Sequence, residues 1–163
     1  MHRLPVGPMS NFDPPANHSL QPRSFRLRLL FWTSLAAGWW ALLFVATHVP
    51  IDLPGPVTAL DKYQHAAAFL GLAVLLCAAY EAWRPRQEWG YFGVFLAAGM
   101  YGALDEWTQS FVGRHSDVLD WLADLGGAAL GVGLMFLVAA FWRARSAAAA
   151  DASADASSSV NTR

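Results

Sequence analysis

Charge is scarce in this sequence. Aspartate, glutamate, lysine and arginine make up 14% of its 163 residues, against about a quarter in soluble domains. So few charges cannot cover the water-facing surface of a compact domain, and a hydrophobic content of 55% points to lipid as the solvent. Cysteine is nearly absent. Cys77 alone, set among alanines and leucines, leaves no disulfide frame and no cysteine metal site. An excess of either sign is also lacking, with a formal net charge of −1, so nothing predicts a nucleic-acid partner. Neither a nucleotide-binding loop nor a charged stripe running through successive apolar blocks occurs, which argues against an ATPase and a channel.

What the chain does contain is four long apolar blocks. The first runs from about Leu29 to Val49, the second from about Tyr63 to Trp83, the third from about Trp89 to Gln109 and the fourth from about Val118 to Trp142. Each is close to the roughly twenty residues a helix needs to cross a hydrocarbon core. Arginines precede the first block as they would a signal peptide, but its apolar run is longer than a signal core and no clear small-x-small cleavage site follows. It therefore reads as a retained span. Residues 1–24 are rich in proline and polar side chains, and residues 144–163 are of low complexity, so both are expected to be disordered tails around a membrane domain at 25–143.

Arginine and lysine placement predicts the orientation. Arg3, Arg23, Arg26, Arg28, Arg84, Arg86, Arg143, Arg145 and Arg163 fall in the termini and the loop between blocks two and three, leaving only Lys62 and Arg114 for the other two loops. By the positive-inside rule both termini and the Arg84 loop are cytoplasmic, and the Pro50–Leu60 and Ser110–Asp117 loops face outward. Trp32, Trp83, Trp89 and Trp142 then fall near the inner interface and Trp107 and Trp121 near the outer one, as an aromatic belt requires; Trp39 and Trp40 have no place in it. The expected fold class is all-α, a polytopic membrane protein built as a four-transmembrane-helix bundle with both termini cytoplasmic.

In that topology three polar clusters arrive at one end. The stretch DKYQH opens the second helix with Asp61 and His65 one turn apart. LDEWTQ closes the third, where Asp105 and Gln109 share a face and Glu106 is turned by about 100°. GRHSDVLDWLAD supplies Arg114 and His115, then Asp117, Asp120 and Asp124 along one stripe of the fourth helix. That stripe continues as Gly127 and Gly131, a small-xxx-small pair that admits a neighbouring helix, and Gly99 and Gly102 lead to Glu106 and Gln109 in the same way. Acids and glycines thus share an interior seam. Seven carboxylates on this side, Asp52, Asp61, Asp105, Glu106, Asp117, Asp120 and Asp124, meet only Lys62 and Arg114. Acids inside a membrane cost free energy and mark function more often than packing.

The order and spacing of these clusters resemble the VanZ-like family of small bacterial membrane proteins over roughly residues 30 to 142. The family pattern is Asp-Lys-x-x-His, Asp-Glu-x-x-Gln, Gly-Arg with a downstream Asp, and an Asn followed by Gly-Ala. Asp61, Lys62 and His65 match the first part, Asp105, Glu106 and Gln109 the second, and Gly113, Arg114 and Asp120 the third. Asp124 stands where the family more often has Asn. The resemblance implies a multi-pass protein of the bacterial cytoplasmic membrane, in a family named for a protein associated with resistance to teicoplanin, a lipid-bearing glycopeptide. The phosphotransbutyrylase label also carried by the family implies soluble acyl-phosphate and CoA substrates, which nothing in this sequence cradles.

Three functions are compatible with these residues. The first is a binding or protection module: an outward polar pocket of Asp61, Lys62, His65, Asp105, Glu106, Gln109, Arg114, Asp117, Asp120 and Asp124, ringed by Trp107 and Trp121. It would hold the head group of a lipid-linked envelope precursor or lipoglycopeptide, with Arg114 and Lys62 meeting phosphate or carboxylate. The second is an enzyme on a lipid-linked substrate, with Asp105, Glu106 or Asp120 as general acid or base and His65 assisting. The third is a structural partner of another membrane complex, joined through the glycine seam. Membrane lipid is the expected surrounding partner; no protein partner is identified. An oxygen-rich site suits magnesium or calcium, and His65 could join a zinc or manganese site. No compact ligand motif such as HExxH appears, however, and neither a metal nor another cofactor is assigned. His48 beside Pro50 reads as interfacial, and His115 as a loop surface residue.

Overall fold

A computed structural model describes residues 23–49, 59–84, 87–113 and 116–161. The first 22 residues, Asp52 with most of its loop, Arg86, Arg114 and His115 lie outside the described residues. All elements described are helical: α1 (Arg23–His48), α2 (Ala59–Trp83), α3 (Trp89–Gln109) and α4 (Val118–Asn161), with a 3-10 turn at Ser110–Val112 after α3. Gly113 follows that turn at φ +78°, a left-handed conformation that glycine adopts without a Cβ clash.

Three of the helices are long and apolar enough to cross a membrane: an 18-residue stretch within each reaches a mean hydropathy of 1.7 in Arg23–His48, 1.7 in Leu60–Trp83 and 2.0 in Val118–Ser153. α3 is shorter, at 21 residues, and carries the acidic pair Asp105 and Glu106 about one turn before its end at Gln109. The sidedness of the bundle is that of a lipid-solvated protein. Its buried core is thin, made of Leu43, Phe69, Leu72, Ala73, Ala98 and Ala128, while Leu30, Phe31, Leu42, Leu130, Leu137 and Phe141 are exposed on the outside. In water such an apolar surface would drive aggregation.

α2 is the central helix, packing most extensively on α4 and next on α1. Small residues explain how close the backbones come. A Cβ on Gly127 would collide with the Ala66 carbonyl, and one on Gly131 would come within 2.6 Å of the Leu70 carbonyl oxygen. The glycine seam is therefore filled by α2 itself. α1 is fastened to α2 by Trp39, whose indole N–H donates to the Ala68 carbonyl at 3.0 Å and whose ring lies over Gly71. Trp121 makes the same kind of link from α4 to α3, donating to the Gly99 carbonyl at 3.0 Å.

Two boundaries differ from expectation. α1 starts at Arg23, about a turn and a half before the apolar run, because Arg26 and Arg28 are good helix formers. α4 continues to Asn161, where low complexity suggests disorder. Ala147–Ala150 have the highest helix propensity of any residue type, and the helix runs on although every side chain over 144–153 is exposed.

Candidate functional site

Antiparallel neighbours bring helix ends together. The end of α1, the start of α2, the end of α3 and the start of α4 share one end of the bundle, and the acids and histidines of the sequence collect there. His65, Asp105, Glu106, Gln109, Asp120 and Asp124 are all buried. Lys62 and Asp117 are half-exposed at the rim. The cluster is thus a closed polar interior with a charged rim.

The rim is set by the first turn of α4. Asp117 precedes the helix and accepts the Leu119 N–H at Oδ1, 2.9 Å, a side-chain cap on an otherwise unsatisfied donor. Its Oδ2 accepts from Lys62 Nζ at 2.9 Å, and the same ammonium donates to Asp120 Oδ1 at 2.7 Å. The Leu119 N–H, and after it the Lys62 ammonium, hold the Asp117 carboxyl below the usual carboxylate range.

Deeper in, Asp105 is saturated. Its Oδ1 accepts from Thr47 Oγ1 at 3.0 Å and from Tyr101 OH at 3.2 Å, and its Oδ2 accepts from Gln109 Nε2 at 2.9 Å. His48 approaches it at 3.8 Å while bonding Thr108 Oγ1 at 2.9 Å. Glu106 points the other way, accepting the Asp117 backbone N–H at Oε2, 2.9 Å, with Gln109 Nε2 at 3.5 Å from Oε1. The i, i+4 and i, i+3 spacing on α3 lets one amide serve both acids.

The most enclosed pair is His65 and Asp124. Nδ1 of the imidazole lies 3.0 Å from Asp124 Oδ1, and the Asp124 side chain is 0% exposed. Its second oxygen, Oδ2, is buried with no hydrogen-bond partner. Gly102 makes room for it, since a Cβ there would lie 3.1 Å from that oxygen. One donor atom each from His65, Glu106 and Asp124 lie within 4.8 Å of one another, and the same holds for Asp61, His65 and Asp120. These are the sets that could hold a metal ion. Chemically, the arrangement offers acceptors for donor-rich groups and an imidazole–carboxylate pair able to move a proton.

Of the ten residues expected to line a pocket, nine come together here; Arg114 lies outside the described residues. Trp107 is 61% exposed at the same end, whereas Trp121 is turned inward to α3 rather than ringing a mouth. Thr47, His48 and Tyr101 are additions that sequence reasoning missed. The polar pair Thr47–His48 closing an apolar helix, and Tyr101 four residues before Asp105, were the available signals. An apolar groove of about 350 Å³ between Thr33, Trp40, Leu76, Ala97 and Tyr101 meets the site only at Tyr101.

Apolar helices around a small buried polar network define a helical membrane protein. The family model described as VanZ/LLP1 matches residues 9–139, and the chain belongs to that family. No curated protein and no solved structure matches it.

Proposed function

We propose that this VanZ-like membrane protein spans the bacterial cytoplasmic membrane four times, with both termini cytoplasmic, and receives a polar head group at its outward end. The ligand class is a lipid-linked envelope component or a lipoglycopeptide such as teicoplanin. The observation that carries this reading is the joining of two surfaces at one end of the bundle. Asp61, Lys62 and Asp117 edge a buried set of carboxylate acceptors, and the exposed apolar side chains of Leu60, Tyr63, Trp107, Phe111 and Val118 stand beside them. A molecule with a hydroxyl-, amide- or ammonium-bearing head and an acyl chain has a partner for each part. The distribution of arginine supports the outward orientation.

A test compares lipoglycopeptide susceptibility in cells expressing the protein, its deletion and point variants. Loss of protection with Arg114→Ala, and retention with Glu106→Gln, is the expected pattern for a binding module. Susceptibility unchanged by full deletion would remove the protection reading.

The His65–Asp124 pair beside Glu106 favours a second reading, acid–base catalysis on a lipid-linked substrate. There Glu106→Gln abolishes turnover while the fold is kept. Joining another complex through Gly127 and Gly131 has less support, because α2 already covers both glycines.

A further inference from the structure

We infer that His65, Glu106 and Asp124 form a binding site for one divalent first-row metal ion, of the zinc or manganese type, which ties three helices together from inside. The set takes one ligand from α2, one from α3 and one from α4, and its donor atoms lie within 4.8 Å of one another. Donors about 2.0–2.2 Å from a common ion stand roughly 3 to 4 Å apart, the same scale as the separations in this set.

The distribution of counter-charge singles out this set. Lys62 is engaged by Asp117 and Asp120. Asp105 has donors from Thr47, Tyr101 and Gln109. Glu106 and Asp124 share only a backbone N–H, a long amide contact and one imidazole. Oδ2 of Asp124, fully buried, has no donor at all. A buried carboxylate oxygen without a donor costs free energy that a cation removes. Among the described residues, the second ring nitrogen of His65 makes no hydrogen bond either, and Asp61 and Asp120 each offer a carboxylate oxygen within 4.8 Å of a ring nitrogen of the imidazole. One imidazole among carboxylates matches zinc, for which imidazole is a favoured ligand, and manganese, which suits the carboxylates; magnesium and calcium take oxygen alone.

The inference does not depend on the head-group reading, because the ligands lie in the closed interior. It is tested on the full chain in detergent micelles, purified with a tag free of histidine and stripped with chelator. Zn²⁺ and Mn²⁺ are titrated separately, by calorimetry and by loss of the free Mn²⁺ paramagnetic signal, with Mg²⁺ as the oxygen-preferring comparison. Expected is saturable uptake of a single Zn²⁺ or Mn²⁺ per chain, a rise in the thermal unfolding midpoint with added ion, and at least a tenfold weakening, roughly, in His65→Gln and in Asp124→Asn. Asp124→Asn keeps the side-chain shape and installs the amide more usual in the family, so it reports on ligation with the fold intact. Three results would each overturn the site: no saturable uptake by the unaltered protein, uptake by both variants as tight as that of the unaltered protein, or Mg²⁺ binding as tightly as Zn²⁺ and Mn²⁺.

Discussion

Asp105 and Asp124 are both buried carboxylates, 1% and 0% exposed, yet their neighbours divide their roles. Asp105 is a structural hub, tying α1 to α3 through Thr47. Thr47→Val should cost about 0.6 kcal/mol and at most about 1.7, the average and the maximum for interhelical hydrogen bonds in a membrane protein, and Asp105→Ala should cost more because Thr47, Tyr101 and Gln109 lose their acceptor together. Reversible unfolding in mixed micelles gives both values; equal costs would show that Asp105 is no hub. Asp117 behaves differently because it faces water. Its carboxyl is held below the usual range, so its cap and ion pair contribute fully above about pH 4, the unperturbed carboxylate value, and that contribution is lost as pH falls through the lowered native value. Asp117→Asn should flatten the acid side of a stability–pH curve; an acid side of unchanged slope contradicts this. The charged residues of the site were legible in sequence because acids are rare in apolar helices. Thr47 and Tyr101 were less so, since single hydroxyl groups are common in apolar helices and their spacing gains meaning only beside Asp105, and Trp39 showed its role only once Ala68 and Gly71 of α2 faced it.

Two adjacent glycines on α4 separate packing from mere composition. Gly127 lies against the Ala66 carbonyl, whereas a Cβ on Gly126 would meet nothing within 4 Å. Gly127→Ala should therefore destabilise the α2–α4 pair by about 1–3 kcal/mol, the usual cost of forcing volume into a packed contact. Gly126→Ala should be neutral or stabilising by up to about 1 kcal/mol, through alanine's helix propensity. Thermal unfolding of the two variants checks the contrast; equal shifts would mean that α4 is rotated from its described register. That register was readable from the 3.6-residue spacing of acids and glycines along α4. Helix ends were readable where chemistry changes sharply, as at Trp89 and Gln109 of α3. They were not readable at the far end of α4, where alanines carry the helix onward without packing partners.

For the molecule as a whole, the claim that matters most is that helices of alternating direction deliver α2, α3 and α4 acids to one end of the bundle, the end we propose faces outward. The 2.9 Å contact between Lys62 and Asp117 joins chain segments 55 residues apart, so both residues must lie on the same side of the membrane. The measurement is cysteine labelling in intact cells, in a Cys77→Ala background, with a membrane-impermeant maleimide applied to Lys62→Cys, Asp117→Cys, Arg84→Cys and Arg145→Cys. The expected result is labelling of positions 62 and 117 from outside, with 84 and 145 reacting only after permeabilisation. Labelling of 62 and 117 from opposite sides, or of both only from the cytoplasm, would contradict it.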